Sequence, residues 1–145
     1  MGIRVVKAET EADKKKAFAI REEVFVVEQK VARDEEFDEF EDTSYHFVAL
    51  DESNNPVGSA RWRYTEKGIK LERFTVKKNL RGEGLGSKLV DAVLKDIAKE
   101  APKGTYLYMH AQLPAVPLYL KFGFKKEGDQ FDECGIMHYF MWKEV

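Results

Sequence analysis

The sequence is poor in cysteine, in net charge and in long apolar runs. Cys134 is the one cysteine among 145 residues, which excludes an internal disulfide and a metal site built from several thiolates. The apolar runs are far shorter than the roughly 20 residues of a membrane-spanning helix, and residues 1–9 lack the apolar core of a signal peptide. We therefore expect a cytoplasmic protein with no membrane partner.

Net charge is close to zero, because 24 basic residues face 26 acidic ones and leave a charge of −2. Such a chain has no overall positive field with which to collect nucleic acid, so a nucleic-acid partner is not expected. Low-complexity, proline-rich and serine-rich tracts are missing as well, and 145 residues suit a single core. We expect one domain over residues 1–145.

Apolar periodicity predicts a mixed sheet with helices packed on it, an α/β fold class. Thr10 and Asp13 have the spacing of a helix N-cap after a short β-branched run, and the following helix keeps an apolar face to about Glu28. Turn-forming segments separate three strand-like runs, which predicts an antiparallel meander over residues 45–51, 57–64 and 69–76. The order β-α-β-β-β-α-β-α-β-β is completed by a long helix from residue 85, a strand over 105–110, a short helix over 117–121 and strands over 124–127 and 136–143.

Residues 33–42 are the most acidic segment, with seven carboxylates around Phe37 and Phe40. Charged runs are usually solvated, which favours a surface loop or helical turn with the two phenylalanines turned inward. A second interpretation is a rim that attracts a cationic amine. Strand alternation places Arg61 and Arg63 on one face, where they either hold an anionic group of a substrate or pair with this acidic segment.

A glycine-rich loop lies between the last strand of the meander and the long helix. The strand ends at Val76, and glycines follow at alternate positions 82, 84 and 86. Glycine lets the backbone approach a phosphate closely, and the N–H groups at a helix N-terminus attract one. Neither the Walker loop nor the dinucleotide fingerprint fits, because Ser87 and Lys88 stand in the wrong order for the first and Ser87 replaces a glycine of the second.

The pattern Arg-x-x-Gly-x-Gly over residues 81–86 resembles the pyrophosphate loop of the GNAT superfamily of N-acetyltransferases. Residues 110–124, a strand followed by a helix that carries Tyr119 and ends in Gly-Phe, resemble that family's second signature. Together with the acidic segment, three further segments resemble the small bacterial ElaA-like branch more specifically: residues 21–29, 58–63 and 135–138.

Two positions depart from the family's pattern. Lys78 stands where proline is frequent, a change that affects the rigidity of the loop more than its chemistry. Cys134 stands where the ElaA-like pattern commonly carries an acidic residue. A polar substrate contact at position 134 is therefore not carried over.

The resemblance implies a GNAT-like fold and acetyl-CoA as the co-substrate. It also implies that a primary amine attacks acetyl-CoA directly, without a covalent enzyme intermediate. The amine belongs to a small-molecule or protein acceptor that the sequence does not identify. Contacts with CoA are implied for backbone N–H groups of the fourth strand and for the glycine loop, namely Phe74, Thr75, Val76, Arg81, Gly82, Glu83, Gly84, Leu85, Gly86 and Ser87.

Three side chains are candidates for proton transfer. Tyr119 matches the family tyrosine near the CoA sulfur and is expected to protonate the thiolate, its other interpretation being a core aromatic. Glu72 is a candidate base on the fourth strand, or a carboxylate that faces solvent or an arginine. Histidine as a residue type suits proton transfer near neutral pH, which makes His110 a second candidate base, with His46 and His138 as competitors. A lone histidine is nevertheless more often structural. No pair of histidines has metal-ligand spacing, so no metal site is expected.

Two other functions stay open on the sequence alone. The glycine loop also suits a regulatory module that binds CoA without catalysis, whereas a purely structural domain would have no affinity for CoA. A homodimer is an open expectation too, because the sequence does not fix the oligomeric state.

Overall fold

The computed structural model describes residues 2–145, which form a seven-stranded sheet with helices on both faces. The strands are β1 (Arg4–Lys7), β2 (Tyr45–Leu50), β3 (Pro56–Tyr64), β4 (Ile69–Val76), β5 (Tyr106–Gln112), β6 (Lys125–Glu133) and β7 (Ile136–Glu144). The helices are α1 (Glu11–Arg21), α2 (Arg33–Glu36), α3 (Leu85–Glu100) and α4 (Val116–Lys121), with 3-10 turns over Lys78–Leu80 and Leu113–Ala115. The predicted order of elements is confirmed, with α2 as an addition.

The sheet has the order β1-β2-β3-β4-β5-β7-β6 and is antiparallel except between β4 and β5. These two parallel strands pair at Ile69 with Leu107 and at Lys70 with Tyr108, and then separate. The separation opens a cleft in the middle of the sheet. Beyond Lys70, the edge of β4 that faces the cleft has no strand partner among residues 2–145.

The two long helices cover opposite faces of the same strands. Phe47 and Ala49 of β2 belong to the main core, whereas the alternate residues Val48 and Leu50 belong to a smaller cluster with Ala17 of α1. The predicted apolar face of α3 supplies buried residues to the main core, namely Leu85, Leu89, Val90, Val93 and Ile97. Within the described part of the chain, no helix is both long and apolar enough to cross a membrane.

The helical segment that begins with α1 is wound more loosely after Arg21. Thr10 caps α1 as predicted, but the chain continues past α1 as a π-helix over Glu22–Glu28. The N–H group of Gln29 donates to the carbonyl of Val24 at 2.9 Å, and Lys30 follows with a φ of 60°. Wide turns of this kind occur frequently at functional sites.

β4 contains a bulge at Arg73. Opposite Ala60 of β3, β4 carries two residues, Arg73 and Phe74, instead of one. Arg73 has a φ of 61°, a left-handed conformation that residues other than glycine seldom adopt. The bulge interrupts the regular alternation of side chains along β4 between Glu72 and Phe74.

β6 is the element whose length the sequence predicted least well. The expected strand over 124–127 extends to Glu133, and its pairing with β7 is irregular between Glu127 and Phe131. Most of its side chains are polar and exposed. Because a strand of that kind carries no apolar alternation, its second half had no pattern from which to be predicted.

Candidate active site

The separation of β4 and β5 forms a cavity with a volume of about 430 Å³. Apolar side chains from the π-helix, β4, β5 and α4 line part of it, including Phe25, Phe74, Met109 and Tyr119. Carboxylates, basic groups and two histidines line the rest, from α2 and the loop after it and from β3, β4, β5, β6 and β7. The cavity can therefore hold an apolar group beside a charged one.

The glycine loop leads from the end of β4 into α3, as predicted. Gly82 and Gly84 both have a φ of 85°, and a Cβ added at either would meet no atom within 4 Å. The open space beside these backbones is what the close approach of a phosphate requires. Gly86 serves packing instead, because a Cβ there would lie 3.1 Å from Leu118 of α4.

Arg81 is bound to the protein through its whole guanidinium group. Nε donates to the carbonyl of Val76 at 2.9 Å, and the two Nη atoms donate to the carboxylate of Glu28 at 2.6 and 2.8 Å. The hydrogen bonds from Arg81 lower the pKa of Glu28. Glu28 therefore compensates the positive charge that Arg81 brings to the loop.

Tyr119 lies in the apolar wall of the cavity. Its ring packs edge-on against Phe74 and Phe124, with centroids 5.9 and 6.2 Å away, and the residue is 5% exposed. Burial raises the pKa of its hydroxyl above the usual value. The hydroxyl therefore keeps its proton at neutral pH, and both interpretations, core aromatic and proton donor, fit this position.

His110 of β5 and Glu133 of β6 lie at ion-pair distance from each other. Nδ1 of His110 lies 2.8 Å from a carboxylate oxygen of Glu133, and the hydrogen bond with His110 lowers the pKa of Glu133. His138 lines the same cavity, and its Nδ1 lies 2.7 Å from the carbonyl of Ile136. His46 lies elsewhere, buried beside Glu41, and burial lowers its pKa.

Glu72 lies on the cavity wall among basic groups. Its carboxylate is within 4.0 Å of Arg61, Arg63, Lys70 and Arg73. Burial raises the pKa of Glu72, but the charge of Arg61 and of the other basic groups outweighs burial and lowers that pKa to about 2. A carboxylate with so low a pKa takes up a proton poorly at neutral pH, which weakens the prediction that Glu72 is the base.

Carboxylates of the acidic segment pair with arginines of α1, β3 and β4. Glu36 and Glu41 pair with Arg21, and Asp38 pairs with Arg61 and Arg73, at distances between 2.7 and 3.0 Å. The expectation of solvated charges is wrong for Glu36, which is only 4% exposed, whereas Asp38 and Glu41 are half-buried in their ion pairs. For Arg61, pairing with the acidic segment is the interpretation that holds.

Comparison with known proteins agrees with this geometry. A model of the GNAT acetyltransferase domain matches residues 7–145. YjcF, an uncharacterized N-acetyltransferase of Bacillus subtilis (strain 168), is 41% identical over 143 residues, which cover 98% of this chain and 100% of that protein. The crystal structure of Escherichia coli ElaA has a TM-score of 0.84 at 23% identity, with 98% of each chain covered. An acyl-CoA N-acyltransferase from Pseudomonas aeruginosa has a TM-score of 0.82 at 24% identity, with 97% of each chain covered.

This chain belongs to the GNAT acetyltransferase family. Membership confirms the predicted fold class and the predicted enzyme class, an N-acetyltransferase that uses acetyl-CoA as co-substrate. The fold-level similarity to ElaA agrees with the resemblance to that branch. The roles of single residues in this GNAT protein stay predictions.

Cys134, the departure from the ElaA-like pattern, faces the cavity at the β6–β7 turn. Its thiol donates to the carboxylate of Glu35 at 2.7 Å. That hydrogen bond, together with burial and the nearby charges of Glu35 and Glu133, raises the pKa of the Cys134 thiol to about 11. The thiol is therefore protonated at neutral pH, which argues against a nucleophilic role in a GNAT reaction.

Sequence reasoning missed three carboxylates beside the predicted GNAT site residues. Glu28 and Glu35 were noted only as members of a family-like segment and of the acidic segment, and Glu133 was not singled out. Each meets its partner, Arg81, Cys134 or His110, across at least 23 positions of the chain. Contacts at that separation depend on tertiary structure, and no short-range pattern marks them.

Proposed function

We propose that this GNAT protein transfers the acetyl group of acetyl-CoA to the primary amine of a small cationic acceptor in the cavity between β4 and β5. The observation that carries the proposal is that Tyr119 and the His110–Glu133 pair line one cavity at the strand that leads into the glycine loop. A proton acceptor and a proton donor are the groups that amine acetylation requires.

The donor is proposed to bind along the glycine loop. Open space beside Gly82 and Gly84 supports this, together with the free N–H groups at the start of α3. The unpaired edge of β4 offers further backbone N–H groups, in the stretch that contains Phe74, Thr75 and Val76. We propose that these donors bind the acetyl carbonyl and stabilise the oxyanion.

His110 is proposed as the base. When Nδ1 of His110 donates to Glu133, Nε2 is left as an acceptor for the proton of the acceptor's ammonium group. Glu133 then holds the ring and stabilises the imidazolium. Glu72 is less suited to this role, since its pKa is about 2.

The reaction balances with Tyr119 as the proton donor. The neutral amine attacks the carbonyl and forms the new C–N bond, and its nitrogen then gives up a second proton to solvent through His110. The C–S bond of the thioester breaks, and its electron pair leaves on the sulfur. Tyr119 protonates that thiolate and is itself reprotonated from water. Its raised pKa keeps the proton available at neutral pH but makes the transfer a modest contribution.

Unbalanced negative charge supports a cationic acceptor. Glu36, Asp38 and Glu72 are neutralised by arginines. Among residues 2–145, the carboxylates of Glu35 and Glu133 form no ion pair with a lysine or arginine within 4.0 Å; Glu133 pairs with His110, and Glu35 accepts a hydrogen bond from Cys134. A volume of about 430 Å³, part of which the donor must share, suits a small acceptor.

A cytoplasmic location is proposed with this function. The single cysteine and the absence of an apolar span in residues 2–145 support it.

The test follows release of free thiol from acetyl-CoA with three matched amines: 1,4-diaminobutane, butylamine and 4-aminobutanoate. We expect kcat/KM to fall about tenfold from the diamine to butylamine, and about tenfold again from butylamine to the amino acid. Both differences should shrink at high salt, because exposed charges are screened. Glu35→Gln should reduce the preference for the diamine over the other two amines. His110→Asn should lower turnover about 100-fold.

Asp91→Asn is the matched control, because it removes an exposed carboxylate of α3 that is paired with Lys95 at 2.9 Å. Binding of CoA without acetylation of any amine would support the regulatory-module alternative. A preference for the amino acid would overturn the proposed acceptor class.

A further inference from the structure

Two adjacent residues at the end of the π-helix bridge the cleft. Glu28 binds Arg81, which begins the glycine loop after β4, through both carboxylate oxygens. Gln29 exchanges two hydrogen bonds, of 3.0 and 3.3 Å, with Gln112 at the end of β5. The end of the π-helix is thus tied to both sides of the separation between β4 and β5.

The backbone fixes these side chains in place. The N–H groups of Gln29 and Val31 donate to carbonyls of Val24 and Phe25 at 2.9 and 2.8 Å, and Lys30 between them is left-handed. The position of Glu28 over the loop is therefore built into the fold, although its side chain is 28% exposed.

The Glu28 carboxylate accepts hydrogen bonds from the two Nη atoms of Arg81, which are the donors that suit a phosphate. The planar guanidinium fork binds a carboxylate and a phosphate through the same two parallel N–H bonds. The third direction, Nε, is taken by the carbonyl of Val76. An anion that reaches Arg81 through this fork must displace Glu28.

We propose that Glu28 is an internal competitor for the pyrophosphate of CoA, held on Arg81, and that it weakens CoA binding. The inference rests on the proposed binding of CoA along the glycine loop. Cofactor binding then exchanges one anion for another on Arg81, and the Glu28–Arg81 pair re-forms as CoA leaves. The pair favours release of the product CoA at the expense of affinity.

The test measures the dissociation constant of CoA by calorimetry for the wild type and for Glu28→Gln. The isosteric amide removes the negative charge, so we expect CoA to bind about tenfold more tightly at low salt. Asp91→Asn should leave the constant unchanged. Pantetheine, which lacks phosphates, should bind both proteins equally when measured by competition.

A double substitution tests whether the effect of Glu28→Gln on CoA affinity depends on Arg81. In the Arg81→Gln background, the further change Glu28→Gln should alter CoA affinity less than twofold, because the contested guanidinium is gone. Weaker or unchanged CoA binding by Glu28→Gln alone would overturn the inference and make Glu28 an organiser of the loop. If CoA binds neither the wild type nor Glu28→Gln, the proposed function itself fails.

Discussion

At the scale of the residue, burial in an apolar wall controls the chemistry available to Tyr119. With its ring against Phe74 and Phe124, the hydroxyl holds its proton more tightly than a solvated phenol does. A thiol has an ordinary pKa of about 8.5, well below that of tyrosine, so proton transfer to a thiolate is unfavourable at equilibrium. Its contribution to the rate should therefore lie near or below the lower end for general acids.

The change Tyr119→Phe tests this role. We expect turnover to fall about 10- to 100-fold, with the affinity for CoA nearly unchanged, because the ring and its packing remain. Steady-state turnover on an accepted amine, with a parallel titration of CoA, measures both quantities. Equal turnover of the two proteins would make Tyr119 a packing residue.

Single residues were predictable only where a motif or resemblance marked them. Tyr119 and His110 were named from the sequence, and both line the cavity. Glu133 was not, because its approach to His110 depends on the pairing of β7 with both β5 and β6, and β6 carries no apolar alternation.

At the scale of the element, β4 and the first helix are where pattern reasoning fell short. The bounds of β4 were predicted correctly at Ile69–Val76, yet the bulge at Arg73 was not, since no glycine in the strand signals a left-handed position. The π-helix over Glu22–Glu28 was likewise hidden, because an apolar face fixes a helix but not how tightly it is wound.

Arginines that join the acidic segment to β3 and β4 make the fold sensitive to acid. Burial raises the pKa of Asp38, but hydrogen bonds and charge from Arg61 outweigh it and lower that pKa from 3.8 to about 2. The pKa of Glu72 is lowered from 4.5 to about 2. Because both values are depressed in the folded state, the stabilisation is complete above about pH 5 and is lost as the pH falls through 4 toward 2.

Urea unfolding between pH 7 and pH 2 measures this loss. Each of the two carboxylates should contribute on the order of 2 kcal/mol to the decline of the free energy of unfolding. Asp38→Asn should lower stability at pH 7 and flatten the decline below pH 4, whereas Asp91→Asn on exposed α3 should do neither. A decline as steep in Asp38→Asn as in the wild type would contradict the assignment.

At the scale of the whole molecule, the sheet separates into two parts that meet at the cleft between β4 and β5. The order of its elements was predictable because most elements have strong apolar periodicity and distinct turn signals between them. The balance of charge around the cavity was not, since it depends on which of the acidic segment's carboxylates fold back onto arginines. The sequence therefore predicted the donor side better than the acceptor side.

The central claim is that acetyl-CoA binds along the glycine loop with its thioester in the cavity beside Tyr119. A crystal structure of the protein with CoA tests it most directly. We predict that the pyrophosphate accepts hydrogen bonds from backbone N–H groups within residues 82–87, and that the sulfur lies within hydrogen-bond reach of the Tyr119 hydroxyl. A pyrophosphate bound away from this loop, or a sulfur outside the cleft between β4 and β5, would contradict the account.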